Sequence, residues 1–438
     1  MAVDVALILG YDALGSVVPA IQAVKAASLT PIVVLNKTGA DYGEWLPQPL
    51  ILRSANVNKN HRALIQEIMQ TGNYFGGKRI RVRAILNAQD RMWLCYLDLM
   101  RAFPAAAGIP PEYITKTSIK PNLRFLLKKT RRHVPYVLLP KRYLKSGRLL
   151  DYRPLRDLRK QAEMLIAKPV IGAGSLGVGH VKKNGPFEES LREAAGHALE
   201  SQRGMYGDKV TAHFLELGSA QRRPVNDFVL IEEYIEGPEY SMEGLATPDG
   251  QVSHFVEQKK TRRVEEPVFR DLENLVCDVR PSKIAVAAVS SLLRAVDFKG
   301  FPFHIELKGS AKRGLKPVEF NPRVGGGSIV DLVSAIHAVD LHELANKAIL
   351  DRLALRRSYV TIVVQPEKTG TIRRYFGIEK VQRQSDCVFI RKLVPEGSEI
   401  DRLDRETYLA EFCVSAKTSA QAHARANEFL TWISVEIE

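Results

Sequence analysis

The sequence has no stretch of about 20 apolar residues, the length that a helix needs to cross a bilayer, although 45% of its 438 residues are hydrophobic. Its four cysteines form no CxxC pair, so neither a zinc knuckle nor a disulfide framework is indicated. The apolar run near the N-terminus has no basic region ahead of it and contains Asp4, which favours a buried strand over a signal peptide. We therefore expect a soluble cytoplasmic protein with no membrane partner.

Several catalytic and binding motifs are also missing. The sequence contains no Ser/His/Asp or Cys/His motif, so a protein nucleophile is not predicted. It shows no aromatic-rich RNA motif, helix-turn-helix or zinc pattern, so nucleic acid is not an expected partner. The first strand and helix lack GxGxxG, which argues against a dinucleotide there.

Positive charge is abundant and unevenly distributed. The net charge of the chain is +14, and the segment from Lys116 to Lys160 holds 15 Lys and Arg against Asp151 and Asp157. That segment therefore accounts for nearly the whole excess. It is consistent with a solvated helix face, with a surface that steers an anionic substrate, or with a docking site for an acidic carrier protein.

The pattern of apolar segments predicts an α/β protein. Residues 3–9 and 31–35 resemble buried strands and residues 13–27 a helix, which together form a βαβ unit of a parallel sheet. A strand-like and a helix-like segment follow within residues 83–109, and Pro110-Pro111 then breaks the pattern, which indicates a domain boundary. The segment after about 358 looks like a small separate unit. We predict domains at 1–111, 112–350 and 351–438.

A glycine-rich loop follows a lysine in the middle of the chain. Residues 172–179 contain four glycines, which allow backbone N–H groups to approach phosphate oxygens closely. The residues after the loop alternate like a strand, so we interpret the loop as a β-hairpin flap and not a dinucleotide-binding turn. Lys168 precedes the loop, where it could hold ATP phosphates, although a plain glycine hairpin is the alternative.

Two further clusters place carboxylates on apolar strands. The segment VLIEEYIEGPE (229–239) carries Glu232 and Glu233 at the end of an apolar strand and Glu239 at its last position. These carboxylates could bind adenine and ribose, or the segment could form a solvated acidic hairpin. FHIEL and PVEFN carry Glu306 and Glu319, and Asn321 shares one strand face with Glu319. Two carboxylates and an amide oxygen suit Mg²⁺. Arg323 follows, and the glycines after it lead into a helix-like segment.

In this order, the four elements are similar to the ATP-grasp superfamily, and most closely to its carboxylate–amine ligases, which include L-amino-acid and dipeptide ligases. The elements are a basic helix predicted over residues 118–132, a lysine with a glycine loop, the pattern EExIxGxE, and the pattern E…ExNxR. The resemblance implies an N-terminal Rossmann-like pre-ATP-grasp domain, a two-part ATP-grasp domain with a flexible glycine-loop flap, and a small C-terminal α/β domain.

The resemblance also implies roles for individual residues. Lys120 and Lys168 would contact ATP phosphates, although Ile119 stands where the family has aspartate before the first lysine. Lys259, next to Lys260, falls where related ligases place a lysine near the γ-phosphate, and Arg323 would hold phosphate or the acyl group. The other implied contacts are to ATP (Gly172, Gly174, Ser175, Gly177, Glu232, Glu233, Ile235 and Glu239) and to Mg²⁺ or Mn²⁺ (Glu306, Glu319 and Asn321).

The expected function is an ATP-dependent ligase that activates a small carboxylate as an acyl phosphate and joins it to an amine, releasing ADP and phosphate. The alternatives are a ligase that loads an amino acid onto an acidic carrier protein and an enzyme that activates bicarbonate in the manner of biotin carboxylase. A non-catalytic ATP-binding module is a further alternative. The family also suggests a homodimer.

Overall fold

The chain begins with a parallel sheet, as the βαβ pattern predicts. The computed structural model describes residues 2–438 except 12–15, 38–40, 59, 88, 147, 173, 182–185, 207–213, 217–221, 266–267, 277–279, 311–313, 327–328, 354–357 and 404–406. The first elements are β1 (Val3–Tyr11), α1 (Val17–Ala26), β2 (Thr30–Leu35), β3 (Ile51–Arg53), α2 (His61–Gln70), β4 (Ile80–Asn87) and α3 (Trp93–Ala102). The strands are all parallel, in the order β3-β2-β1-β4.

Burial explains why this unit forms. Residues 5–9 of β1 and 31–35 of β2 are buried throughout, as expected for parallel strands that are covered on both faces. Pro19 is tolerated because it lies in the first turn of α1, where backbone N–H groups have no partner within the helix. The predicted start of this helix at residue 13 lies outside the described residues.

The segment that follows builds a small antiparallel sheet. Its elements are α4 (Pro111–Thr117), α5 (Lys120–Leu126), β5 (Tyr136–Pro140), α6 (Lys141–Ser146), α7 (Arg153–Gln161), β6 (Leu165–Lys168), β7 (Gly179–Val181), α8 (Phe187–Tyr206), β8 (Phe214–Glu216), β9 (Arg222–Pro224) and β10 (Phe228–Glu233). The strand order is β5-β10-β6-β7, and α7 and α8 share a core with this sheet. The predicted basic helix over 118–132 is wrong in its extent, because the helix ends at Leu126 and turns follow.

A larger antiparallel sheet comes next. Its segment contains β11 (Glu239–Ala246), β12 (Val252–Glu265), β13 (Val268–Val276), α9 (Lys283–Val296), β14 (Pro302–Ser310), β15 (Gly314–Asn321), α10 (Ile329–His337) and α11 (Leu341–Leu350). The strand order is β13-β12-β11-β14-β15. Buried side chains of this sheet and of the parallel sheet belong to one continuous core, so the two sheets are packed together.

The last segment has its own core. It contains β16 (Ser358–Val364), β17 (Gly370–Phe376), α12 (Ile378–Gln382), β18 (Cys387–Lys392), β19 (Glu399–Ile400), β20 (Ala410–Ala416), α13 (Ser419–Leu430) and β21 (Ser434–Ile437). Two three-stranded sheets, β16-β20-β18 and β19-β17-β21, pack with α13 around Phe412 and Phe429. Across the described ranges of the chain, no helix is both long and apolar enough to span a membrane.

A buried lysine joins this last segment to the first. The ammonium group of Lys25 on α1 donates to the carbonyl oxygens of Trp45 at 3.1 Å and Gln382 at 2.7 Å. Burial lowers the pKa of Lys25 from its ordinary 10.5 to about 8, against the opposing effect of Cys387 and Asp386. Between these two pH values the unfolded chain binds more protons than the folded chain, so the free energy of unfolding rises with pH.

We expect Lys25→Met to abolish this rise. The unfolding free energy of the wild type minus that of the variant should increase by up to about 1.4 kcal/mol per pH unit as the pH rises from 8 towards 10.5. Urea unfolding of both proteins across this range measures the difference. Parallel pH curves would show that Lys25 is not the titrating group.

Candidate active site

A cleft lies between the small sheet and the larger antiparallel sheet, and it collects most of the predicted site residues. Its volume is about 680 Å³. Ten of the residues singled out from the sequence line it: Lys120, Lys168, Gly172, Ser175, Glu232, Glu233, Ile235, Glu239, Glu306 and Glu319. They come from five strands, one helix and two connecting segments, so the fold brings together groups that are distant in the sequence.

The glycine-rich loop connects two antiparallel strands and covers one side of the cleft. Residues 165–167 of β6 pair with 179–181 of β7, which confirms the predicted hairpin. Gly174, Ser175 and Gly177 have positive φ, between 58° and 74°. A Cβ atom at Gly177 would lie 2.6 Å from Ser201, so a side chain there would clash with α8. Ala173 lies outside the described residues.

A buried carboxylate between two cations anchors the floor of the cleft. Glu232 is fully buried, and its Oε2 accepts a hydrogen bond from Nε of Arg124 at 2.8 Å, while its Oε1 accepts from Lys168. Burial by itself would raise the pKa of Glu232, but Arg124 and Lys168 lower it to about 2. Arg124 also donates to the carbonyl oxygen of Val318 at 3.3 Å, which ties helix α5 to strand β15.

Sequence reasoning missed Arg124, because it lies in a basic segment that looks solvent-exposed. Its position one helical turn after Lys120 is the signal that could have identified it, since residues four apart share a helix face. Lys120 donates to Glu319 at 3.2 Å and to the carbonyl oxygen of Gly172 at 3.3 Å. One face of α5 therefore supplies two cations to the cleft region.

The carboxylates predicted to hold a metal lie opposite each other. Glu306 on β14 pairs in register with Glu319 on β15, and His304 pairs with Asn321. These four side chains therefore share one face of the sheet. Among the described residues, no group of three His, Cys, Asp or Glu side chains could hold a metal ion. The predicted set of two carboxylates and one amide contains only two side chains of these types.

Asn321 fits an oxygen ligand. Its Oδ1 accepts from Ser118 at 3.2 Å, whereas its Nδ2 is buried and has no hydrogen-bond partner in the part of the chain that the structure describes. The two ends of an amide are distinguished only through their partners. With the amide turned over, Nδ2 would donate to Ser118 and the oxygen would take the unpartnered position. A cation at that position would satisfy the oxygen.

A buried histidine connects this face to the following glycines. Nδ1 of His304 contacts Oε1 of Glu243, and Nε2 lies 3.6 Å from Glu306. Burial lowers the pKa of His304, but Glu243 and then Glu306 raise it to about 10. Glu243 also accepts from the backbone N–H of Gly325 at 3.1 Å. A Cβ atom at Gly325 would lie 2.7 Å from that carboxylate.

The two lysines on β12 lie on opposite faces of the strand. Lys259 is exposed, whereas Lys260 is buried and donates to Glu306, with Glu239 at 3.8 Å. Of the two lysines, Lys260 and not Lys259 therefore reaches a predicted metal-binding carboxylate. Sequence alternation cannot decide between them without the register, which pairs Lys260 with Glu239.

Arg323 is not among the residues that line the cleft. Its guanidinium binds both carboxylate oxygens of Asp90, which comes from the first segment, and Nη1 donates to the carbonyl oxygen of Val324 at 2.7 Å. Burial opposes its charge, but Asp90 outweighs burial and raises the pKa of Arg323. Arg323 instead lines a second cavity of about 510 Å³, between the parallel sheet and α11. Asp90 was not predicted as part of the site.

Residues 234–238, which connect β10 to β11, are called the hinge below. Its aromatic residue, Tyr234, makes contacts that the sequence did not predict. Lys308 donates to the hydroxyl of Tyr234 at 2.8 Å and lies 4.2 Å from the centre of its ring. The His180 ring lies 4.9 Å away on β7. Tyr234 and Lys308 line the cleft beside Ile235. The hairpin, the hinge and β14 thus meet at this tyrosine.

Comparison with known families identifies the middle of the chain. The family model described as "ATP-grasp domain" matches residues 162–331. The chain carries an ATP-grasp domain. The matched segment includes Lys168, the hinge and the metal-binding candidates, whereas Lys120 and Arg124 precede it. No curated protein sequence shows a significant match to the chain.

Solved structures share the ATP-grasp fold with this chain over nearly their whole length. L-amino acid ligase from Bacillus licheniformis is 16% identical, with 100% of this chain and 99% of that chain covered and a TM-score of 0.57. Biotin carboxylase from Campylobacter jejuni is 13% identical, with 99% and 92% covered and a TM-score of 0.52. The biotin carboxylase domain of Hydrogenobacter thermophilus 2-oxoglutarate carboxylase is 15% identical, with 99% and 90% covered and a TM-score of 0.53.

We expect Glu232→Gln to destabilise the protein by about 3–5 kcal/mol, because it leaves Arg124 and Lys168 buried without a charged partner. Glu233→Gln is the matched control, since this neighbour is only partly buried, and it should change stability by less than about 1 kcal/mol. Urea unfolding measures both. Equal effects would refute the idea that charge compensation at Glu232 supports the cleft.

We expect Gly325→Ala to cost about 1–3 kcal/mol, because its Cβ would overlap the Glu243 carboxylate. Gly326→Ala provides the control, because a Cβ atom there would have no described residue within 4 Å apart from its chain neighbours. Thermal unfolding compares the two variants. If both unfold at the wild-type temperature, the Glu243 contact tolerates the added methyl group.

Proposed function

We propose that the protein is an ATP-dependent ligase that activates a carboxylate as an acyl phosphate and transfers the acyl group to an amine, with release of ADP and phosphate. The observation that supports this most strongly is the pairing of charges in the cleft. Lys120 pairs with Glu319, Lys168 with Glu232 and Lys260 with Glu306. When a magnesium nucleotide binds, its phosphates can replace the glutamates as partners of the lysines, and Mg²⁺ can replace the lysines as the partner of the glutamates. No buried charge is then left uncompensated.

Each part of a nucleotide would meet suitable groups. Ile166, Val178 and Val318 line the cleft beside the Tyr234-Ile235 hinge and would contact the purine ring. Glu239 would bind the ribose, and Lys120, Lys168 and the backbone of the glycine loop would hold the phosphates. Glu306, Glu319 and Asn321 would hold Mg²⁺, which when bound would neutralise charge on the phosphates.

The chain would catalyse the reaction chiefly by positioning and charge. A carboxylate oxygen of the substrate attacks the γ-phosphorus, and the bond from that phosphorus to the bridging oxygen breaks to release ADP. Lys260 would stabilise the transferred phosphoryl group, since it is buried and contacts Glu306, which lines the cleft. The amine then attacks the acyl carbon, phosphate leaves, and the amine proton passes to solvent or phosphate. The hairpin of β6 and β7 would exclude water from the acyl phosphate.

The second cavity supports a small, largely apolar acid as the substrate. Its lining is mostly apolar, and Arg323 contributes a cation two residues after Asn321. A guanidinium held by Asp90 is fixed in orientation while retaining further N–H donors. We therefore assign Arg323 to the orientation of the acid or its phosphate.

Turnover should reveal the reaction class. We expect ADP release from Mg·ATP only when a suitable carboxylate is present, and a hydroxamate when hydroxylamine replaces the amine. A panel of amino acids and other small acids, with bicarbonate as a separate arm, identifies the donor. Bicarbonate-dependent turnover would favour the carboxylase alternative. Bound ATP without ADP release under every condition would favour a non-catalytic nucleotide-binding module.

We expect Lys260→Met to lower the turnover number by about 10²–10³-fold, the loss usual for removal of one stabilising charge near a transferred group. Lys259→Met should retain nearly full turnover, because Lys259 is exposed on the opposite strand face. Steady-state ADP release measures both variants, with nucleotide binding as the check on folding. If Lys259→Met is the inactive variant, the assignment of the two faces is wrong.

A further inference from the structure

The basic segment from Lys116 to Lys160 forms a curved surface rather than one helix face. It folds as the end of α4, then α5, β5, α6 and α7. Arg124 and Lys120 point into the interior, as described above. The exposed cations of the segment are Lys128, Lys129, Arg131, Arg142, Lys145, Arg148, Arg153, Arg156 and Lys160. The charge that the nucleotide site does not use is therefore directed to solvent.

A groove runs through this surface, outside the nucleotide cleft. Strand β5 forms one wall through Tyr136 and Leu138, and α7 forms the other through Arg153 and Asp157. Its volume, with open solvent included, is about 1780 Å³, so it is a wide trough that is open to solvent and not an enclosed pocket. An open trough along a strand edge suits an extended ligand.

The wall formed by β5 is an open sheet edge. Among the residues that the structure describes, β5 is the outermost strand of its sheet and pairs with β10 alone. The N–H of Glu233 donates to the carbonyl oxygen of Pro135 at 2.9 Å, which fixes the alternation of the ladder. By that alternation Val137 and Leu139 bond to β10, whereas the N–H and C=O groups of Tyr136 and Leu138 face the groove.

The groove is also positively charged. Lys128, Arg142 and Arg153 line it, and Asp157 is the acid among its lining residues. Asp157 lies 3.7 Å from Arg153, and both side chains are more than half exposed, so their pairing is screened by solvent. An anionic ligand would therefore be attracted to the groove.

We propose that this groove binds an extended, acidic segment of a partner polypeptide, which adds to β5 as a new edge strand. An open strand edge offers donors and acceptors at the spacing of a peptide backbone, and the three cations would face carboxylates of the added strand. A nucleic acid would gain nothing from the hydrogen-bonding groups of the strand edge. The added strand would lie three strand spacings, about 14 Å, from β6, which carries Lys168.

The first test measures charge complementarity on the full-length protein. A fluorescein-labelled peptide of alternating glutamate and valine is titrated by fluorescence anisotropy at low and physiological salt. We expect binding that weakens with salt and falls at least about tenfold in the double variant Arg142→Glu/Arg153→Glu. The matched control Arg156→Glu/Lys160→Glu reverses two exposed cations of α7 that do not line the groove, and it should bind within about threefold of wild type.

The second test separates strand addition from general attraction. The same peptide with N-methyl groups on alternate residues keeps its charge but cannot pair with a strand edge along the methylated side. The register whose methyl groups face β5 should lose most of the affinity, whereas the other register should keep most of it and serves as the matched control. Unchanged affinity of both methylated peptides, equal losses in both double variants, or no binding to wild type would each overturn the proposal. So would an oligothymidylate that binds more tightly than the peptide and loses affinity in the groove variant, since that result indicates a nucleic-acid partner.

Discussion

The cleft depends on one fully buried carboxylate. Glu232 accepts from Arg124 and Lys168, and Arg124 reaches on to the backbone of Val318. Three separate pieces of structure meet there: helix α5, the sheet of β6 and β10, and strand β15 of the larger sheet. A buried ion pair contributes little net stability compared with apolar packing. What it provides here is orientation, because each cation has one carboxylate to face and the two sheets are held at a fixed separation.

Charge compensation extends from this carboxylate along the cleft. Lys120, Lys168 and Lys260 each contact a different glutamate, and His304 lies between Glu243 and Glu306. The site can thus hold several buried charges without one large excess of either sign. Ligands that carry both signs can enter such a site by replacing partners, so the electrostatic cost of binding is smaller than for a site lined with cations alone.

Much of the fold and part of the site could be predicted from local sequence. Buried strands β1, β2, β6, β10, β14 and β15 stand out as apolar segments, and strand alternation places Glu319 and Asn321 on one face. The positions of Arg124, Asp90 and Lys308 could not be predicted in this way. Their partners lie far away along the chain, as with Asp90 and Arg323, so the contact depends on how sheets pack and not on any local period. The choice between Lys259 and Lys260 likewise required the register of β12 against β11.

The pairing of Asp90 with Arg323 has a consequence for the independence of the units. Arg323 is almost completely buried, and Asp90 is also held by the indole N–H of Trp93 at 3.3 Å and, through its backbone carbonyl, by the hydroxyl of Tyr206 at 3.1 Å. A guanidinium in that environment is stable only while the first segment is present. If the N-terminal segment were exchanged with that of a relative during evolution, an acid would have to be kept in the short turn after β4. This turn therefore limits which N-terminal segments can be combined with the rest of the chain.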